Sequence, residues 1–301
     1  MAAADPYKPA VQAAVDAAAQ AETLDLQAAF ALAGSYYMDL QTNTTEVNFG
    51  PGWTEVLRSD VAGGYDGIAL RHDKSQTLVV VNRGTEGLRS LADWEENIGA
   101  ALFNAPGPQM DSAFKLLLDG YDGMGAANVA QVLICGHSLG GALADAQGAL
   151  AASLFASKGL TCPPVKVVGV ASAGFAHAAR DYASGLGLTV SGDAASFITH
   201  YIRARDVVPH HPNRAVFGTD QVVASVFEAR RQPQPGPHSQ GQFWYEWLAE
   251  PLRQHDCNLY FAFYDKPENS YVWYSQDADA YSVADGVQPA WSPGLLRPDN
   301  Y

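Results

Sequence analysis

The sequence predicts an α/β fold in which helices flank a central, mostly parallel sheet. Three observations carry this expectation. Short β-branched runs (TLVVVN, QVLICG, VKVVGV, FITHYI) alternate with alanine- and leucine-rich segments at helical spacing, the pattern of strand–helix–strand crossovers. Several of these runs are apolar without interruption, as strands covered on both faces must be. No internal repeat or long linker divides the 301 residues. One domain is therefore expected over 1–301, with 1–45 forming a helical segment packed on it.

Each element has a local reason. Val11, Val15, Leu24, Leu26, Phe30 and Leu32 recur at helical spacing, predicting two helices broken near Glu22–Asp25. GIALRH and TLVVVN, joined by the polar DKSQ, predict a hairpin. EGLRSLADWEENIGAALF sets Leu88, Leu91, Trp94, Ile98 and Leu102 on one helical stripe. After the break APGP, a further helix is expected around 112–118. QVLICG reads as a strand, GGALADAQGALAASLFAS as a strong helix, and VKVVGVAS, FITHYIRARDVV and QVVASVFEA as further strands. RRQPQPGPHSQGQ is a Pro/Gln/Gly loop, and FWYEWL and NLYFAFY are aromatic runs near the end.

With 32 acidic against 18 basic residues, the net charge is −14. That excludes a nucleic-acid partner and electrostatic attraction to anionic membranes. A neutral lipid or polymer surface stays compatible, because adsorption there depends on apolar area. The apolar share, 48%, is enough for a sizeable core. Cys135, Cys162 and Cys257 allow at most one disulfide, and Cys135, inside VLIC, is expected to be a buried small hydrophobe. No metal-ligand spacing links the cysteines and histidines, so no metal is expected. No apolar run approaches the roughly 20 residues that span a bilayer. MAAADPYKPAVQAAVDAAAQ lacks a basic n-region and an unbroken apolar h-region. Export without a cleaved leader is the expectation, with a cytoplasmic location as the alternative.

The chemistry centres on Gly136-His137-Ser138-Leu139-Gly140, a G-x-S-x-G pattern between a strand and a helix. A tight strand-to-helix turn strains the serine backbone and lifts its hydroxyl, and Gly136 and Gly140 let strand and helix pass closely. A serine hydroxyl attacks only once a base takes its proton, and the base needs a carboxylate to orient it. On such a fold the order is serine, acid, histidine. Asp206, at the end of a strand in YIRARDVVPHHP, is the preferred acid over Asp193 in SGDAAS. His210 and His211 follow Asp206 too closely to fold back on it. His255, in LRQHDCNLYF, is the preferred base, with His238 the alternative.

NRGT at 82–85, DW..N at Asp93, Trp94 and Asn97, GHSLGGALA at 136–144 and RARDVVPHHP at 203–212 together resemble the class 3 lipases. These are the fungal-type triacylglycerol lipases of the α/β-hydrolase fold. The resemblance implies that the backbone amides of Thr85 and Leu139 form an oxyanion hole, and that residues 86–102 form an amphipathic lid with Trp94 over an apolar cleft. The sequence departs from the family at three points. NAPGPQMDSAF replaces the V-H-x-G-F stretch, ASAGFAHAA stands where G-S-P-R-V-G is usual, and the aromatic after the last histidine is the more distant Tyr260.

The resulting expectation is a carboxylic-ester hydrolase without a cofactor, working by an acyl-enzyme route through Ser138, Asp206 and His255. Trp94, Phe243 and Trp244 are candidates to line the acyl cleft. The same triad suits a phospholipase, a short-chain esterase or a polyester hydrolase. An inactive hydrolase-fold binding module is the reading from another class.

Overall fold

A computed structural model of the chain describes residues 8–25, 28–29, 32–33, 48–61, 65–84, 107–203, 208–209, 214–225, 271–275 and 281–283. Helix α1 spans Lys8–Gln20, and the expected break follows it. The chain turns helical again at 28–29 and 32–33, where the Asp25 carboxylate accepts the Ala28 N–H at 2.8 Å and so caps an otherwise orphaned donor.

Among the described residues, nine strands form one sheet in sequential order. Strands β1 (Trp53–Val61), β2 (Tyr65–His72) and β3 (Thr77–Asn82) are antiparallel neighbours. Strands β4 (Gln131–His137), β5 (Val165–Val170), β6 (Ile198–Arg203) and β7 (Thr219–Ser225) continue from β3 in parallel. Strands β8 (Tyr271–Ser275) and β9 (Tyr281–Val283) return antiparallel at the far edge. The parallel crossovers from β3 to β6 contain α2 (Gly107–Met124), α3 (Leu139–Ser157) and α4 (Ala176–Gly185) in turn.

The central strands read as unbroken apolar runs because both faces are covered. Leu78, Val80, Val132, Ile134 and Val167 pack with residues of α2, α3 and α4. The alternate positions Val79, Val81, Leu133, Cys135 and Val168 pack with Val11 and Val15 of α1 on the opposite face. Cys135 is fully buried there, and burial pushes its thiol pKa far up. Helix α1 is keyed to the sheet by Trp53, whose indole N–H donates to the Val15 carbonyl at 3.0 Å.

Six elements depart from the sequence expectation. Strand β1 mixes polar with apolar residues (WTEVLRSDV), since it lies at the rim and, among the described residues, pairs with β2 alone. The expected 112–118 helix is longer, since Pro108 in its first turn requires no backbone donor. Helix α4 was not anticipated: its apolar face is three alanines, Ala176, Ala179 and Ala183. Strands β8 and β9 lie in a region where no strand was expected. Helix α3, moreover, is long and apolar enough to cross a membrane by composition, contrary to the expectation that no run is. It is enclosed instead, buried at every residue from 139 to 151.

The β2–β3 hairpin turns through 73–76 with Gln76 at φ 51°. A left-handed non-glycine residue costs about 1–2 kcal/mol, against the 0.5–1 kcal/mol entropic cost of a glycine. Gln76→Gly is therefore expected to stabilise the fold by roughly 0.5–1 kcal/mol. A urea melt would register this as a higher midpoint with an unchanged slope.

Candidate active site

Strand β4 ends at His137, and α3 begins at Leu139. Between them Ser138 stands at φ 58° and ψ −122°, a strained conformation for a residue bearing a Cβ. Its neighbours hold it there. The Ser138 N–H donates to the Val170 carbonyl at 3.0 Å, and the Ser138 carbonyl accepts from Ala142 N–H at 3.2 Å and Ala173 N–H at 3.1 Å. The turn after β5 that supplies the last of these contains a second left-handed residue, Ala171 at φ 50°. That turn is anchored in its own right. Arg214 Nε donates to the Ser172 carbonyl at 2.8 Å, and the same guanidinium pairs bidentately with buried Asp220 at 2.6 Å through each nitrogen.

The glycines on either side of the serine are required by backbone, not side chains. A Cβ on Gly136 would lie 2.4 Å from the Gly140 carbonyl group, and one on Gly140 would lie 2.2 Å from the Asn82 oxygen. The first turn of α3 therefore rides directly on the end of β3. The chain leaving β3 stays near: a Cβ on Gly84 would come within 3.4 Å of the Ser138 Cβ. Arg83 fixes this exit, its amide donating to the Asp66 carbonyl at 3.0 Å and its guanidinium to the Asp66 carboxylate at 2.6 Å. Leu139, as the first residue of α3, carries an N–H that has no acceptor within the helix. The positive end of the helix dipole thus lies beside the serine.

Strands β4 and β6 are parallel and separated only by β5, so their carboxyl ends share one edge of the sheet. Asp206 comes three residues after the end of β6 in the sequence. Asp193 precedes β6, at the opposite edge. The six residues of β6 put about 20 Å between the two edges, and Asp193 cannot serve Ser138. Of the residues expected to form the site, Gly136, Ser138, Leu139 and Gly140 occupy the turn between β4 and α3. Thr85, Asp206, His255, His238, Trp94, Phe243, Trp244 and the 86–102 segment lie outside the described residues.

Polar residues that sequence reasoning passed over sit directly under α3. Tyr65 Oη donates to Asn82 Oδ1 at 2.8 Å, Asn82 Nδ2 to Gln147 Oε1 at 2.6 Å, and Gln147 Nε2 to the Ala113 carbonyl at 2.6 Å. On the β6 side, His200 Nε2 donates to Asp145 Oδ1 at 3.1 Å. This histidine–carboxylate pair is not a catalytic base and its acid, since both groups are sealed in the core at 0% and 1% exposure. The signal in the sequence was an aspartate and a glutamine inside an otherwise alanine-rich helix.

A mixed sheet with a parallel centre, carrying a strained serine between β4 and α3, defines a protein of the α/β-hydrolase type. More narrowly, the class 3 lipase family matches residues 102–216, and that is the family the chain resembles. The matched segment contains the serine turn and Asp206, whereas NRGT, DW..N and His255 fall outside it. No curated protein matches the chain. Among solved structures it is similar to the Rhizomucor miehei lipase in its propeptide complex, at 17% identity over 57% of each chain with a TM-score of 0.36. A triacylglycerol lipase from Penicillium expansum aligns at 15% identity over 57% of this chain and 70% of its own, with a TM-score of 0.38. A variant of MDLA from Penicillium cyclopium aligns at 16% identity over 78% and 82%, with a TM-score of 0.40. The alignment thus spans less than two thirds of the Rhizomucor miehei lipase.

Proposed function

We propose that the chain is a lipase-like carboxylic-ester hydrolase that cleaves acyl esters, triacylglycerol or similar, through an acyl-enzyme intermediate. The observation that carries this reading is the left-handed Ser138 held in a glycine-flanked turn between β4 and α3. Such strain persists only where surrounding structure enforces it, and in this position it serves to present a nucleophile.

In the proposed cycle His255, oriented by Asp206, takes the Ser138 proton as the hydroxyl attacks the ester carbonyl. The Leu139 and Thr85 amides bind the oxyanion, a contribution of about 10²–10³ in kcat per donor. Gly84 lying beside Ser138 supports the role given to its neighbour Thr85. The protonated base then releases the alcohol, and water, activated by the same base, frees the acid. The proton taken from Ser138 leaves with the alcohol and a proton from water restores the serine hydroxyl, so the base ends unchanged and no cofactor is required. Trp94, Phe243 and Trp244 are proposed to line the acyl cleft, and the substrate is met at a lipid–water interface.

A fluorophosphonate probe tests the reading directly. Labelling of the wild type that maps to Ser138 is the expected result, and an unlabelled wild type would identify a hydrolase fold without hydrolase chemistry. Hydrolysis of p-nitrophenyl esters from C2 to C16 then reports the acyl preference, with activity rising toward longer chains expected for a lipase. In the same assay His255→Ala is expected to lose several orders of magnitude. Activity surviving in His255→Ala but lost in His238→Ala would reassign the base.

A further inference from the structure

The buried pair Asp145–His200 has no part in the proposed chemistry, yet its placement is specific. Asp145 lies on α3 and His200 on β6, and the imidazole donates through Nε2 to the carboxylate at 3.1 Å. The same carboxylate accepts the Phe217 N–H, at 3.0 Å through Oδ2 and 3.3 Å through Oδ1. His200 and Phe217 flank the segment that contains Asp206. One side chain on the nucleophile's helix therefore grips both stems of the segment bearing the proposed acid.

The rest of α3 is poorly suited to fixing its own position. Gly140, Gly141 and Gly148 line its surface toward the sheet, against Asn82, Gly136 and Val167, and apolar burial is non-directional. Small side chains form no ridges against which a helix would lock. Directional bonds at Asp145 and Gln147 supply the missing register, one toward β6 and the other toward β3 and α2. The arrangement also has a cost that packing alone would not retain. His200 Nδ1 is buried with no hydrogen-bond partner among the described residues, lying where a Cβ on Gly169 would approach it within 2.3 Å. Seven residues at 1.5 Å each put Asp145 about 10 Å along the helix from Ser138. That is too far to touch substrate but close enough to set the angle at which the serine is presented.

We infer that Asp145 and His200 are positioning residues, which hold the Ser138 helix and the Asp206 segment in reactive alignment. This rests on the hydrolase reading above. The test uses the full chain with p-nitrophenyl butyrate, each variant assayed well below its own melting temperature. Asp145→Ala is expected to lower kcat by 10- to 100-fold while KM stays within threefold. Asp145→Asn, which keeps an acceptor for Phe217 N–H and a hydrogen bond to the imidazole, is expected to recover kcat to within fivefold of wild type. A folded Asp145→Ala protein with wild-type kcat overturns the inference, as does an Asp145→Asn protein no better than Asp145→Ala. Should Asp145→Ala fail to fold, His200→Phe provides the same comparison, because it removes only the donor and leaves the bond to Phe217. A tenfold lower kcat supports the assignment, and an unchanged one refutes it. Fluorophosphonate labelling of wild-type Ser138 runs alongside. Its absence would overturn the hydrolase reading itself, whereas labelled wild type with unaffected variants rejects only the positioning role.

Discussion

Ser138→Ala is expected to lower ester turnover by about 10⁴- to 10⁶-fold, because members of a nucleophile–base–acid unit fail together rather than additively. What survives is the contribution of the oxyanion donors and substrate binding. The fold should be almost untouched. Alanine at φ 58° carries the same Cβ strain as serine, and the three backbone hydrogen bonds that hold the turn do not involve the hydroxyl. The melting temperature is therefore expected within about 1–2 °C of wild type, a stability change near 0.5 kcal/mol. Stopped assays with and without the substitution, paired with a thermal melt, separate lost chemistry from lost structure. Turnover within tenfold of wild type would remove Ser138 from the mechanism.

Gly140→Ala is expected to have the largest structural effect of any single methyl group at the site. The added Cβ would sit 2.2 Å from the Asn82 oxygen and 2.8 Å from the Asn82 and Arg83 carbonyl carbons. All three are backbone atoms of the chain leaving β3, so no side chain can swing aside. The helix must lift from the sheet instead. Overpacking of this kind costs about 3 kcal/mol, or roughly 5–10 °C in Tm. Because the lift moves Ser138 relative to the Gly84 exit, a loss of about 10²-fold in kcat accompanies it, the effect of an ångström-scale displacement. Gly185→Ala provides the contrast: its Cβ meets nothing within 4 Å, and a change within about 1 kcal/mol is expected at the end of a helix. Equal melting temperatures for the two variants would mean that the elbow does not need its glycine.

Much of the architecture was legible before any coordinates. The hairpin around 73–76, the strand QVLICG and the helix behind Ser138 each follow from periodicities spanning fewer than 20 residues. Elements that escaped did so for identifiable reasons. Strand β1 lies at a rim, where Thr54 and Glu55 are exposed and the apolar run disappears. Helix α4 is ten residues long and buries only alanines, which form no run of large apolar side chains to mark it.

The strained turn at Ser138 was determined by sequence alone, because Gly-x-Ser-x-Gly between an apolar strand and a small-residue helix leaves the backbone few allowed paths. Sterics of that kind act over a handful of atoms and are written in adjacent residues. That Asp193 lies at the edge away from the serine was decided only by the tertiary structure. Parallel pairing of β4, β5 and β6 puts Asp193 at the wrong end, a consequence of strand direction that composition does not encode. The burial of Asp145 against His200 and Phe217 belongs to the same category. Those residues are 55 and 72 positions from Asp145 in the chain, and only the register of packed helix and sheet brings their polar atoms within bonding distance.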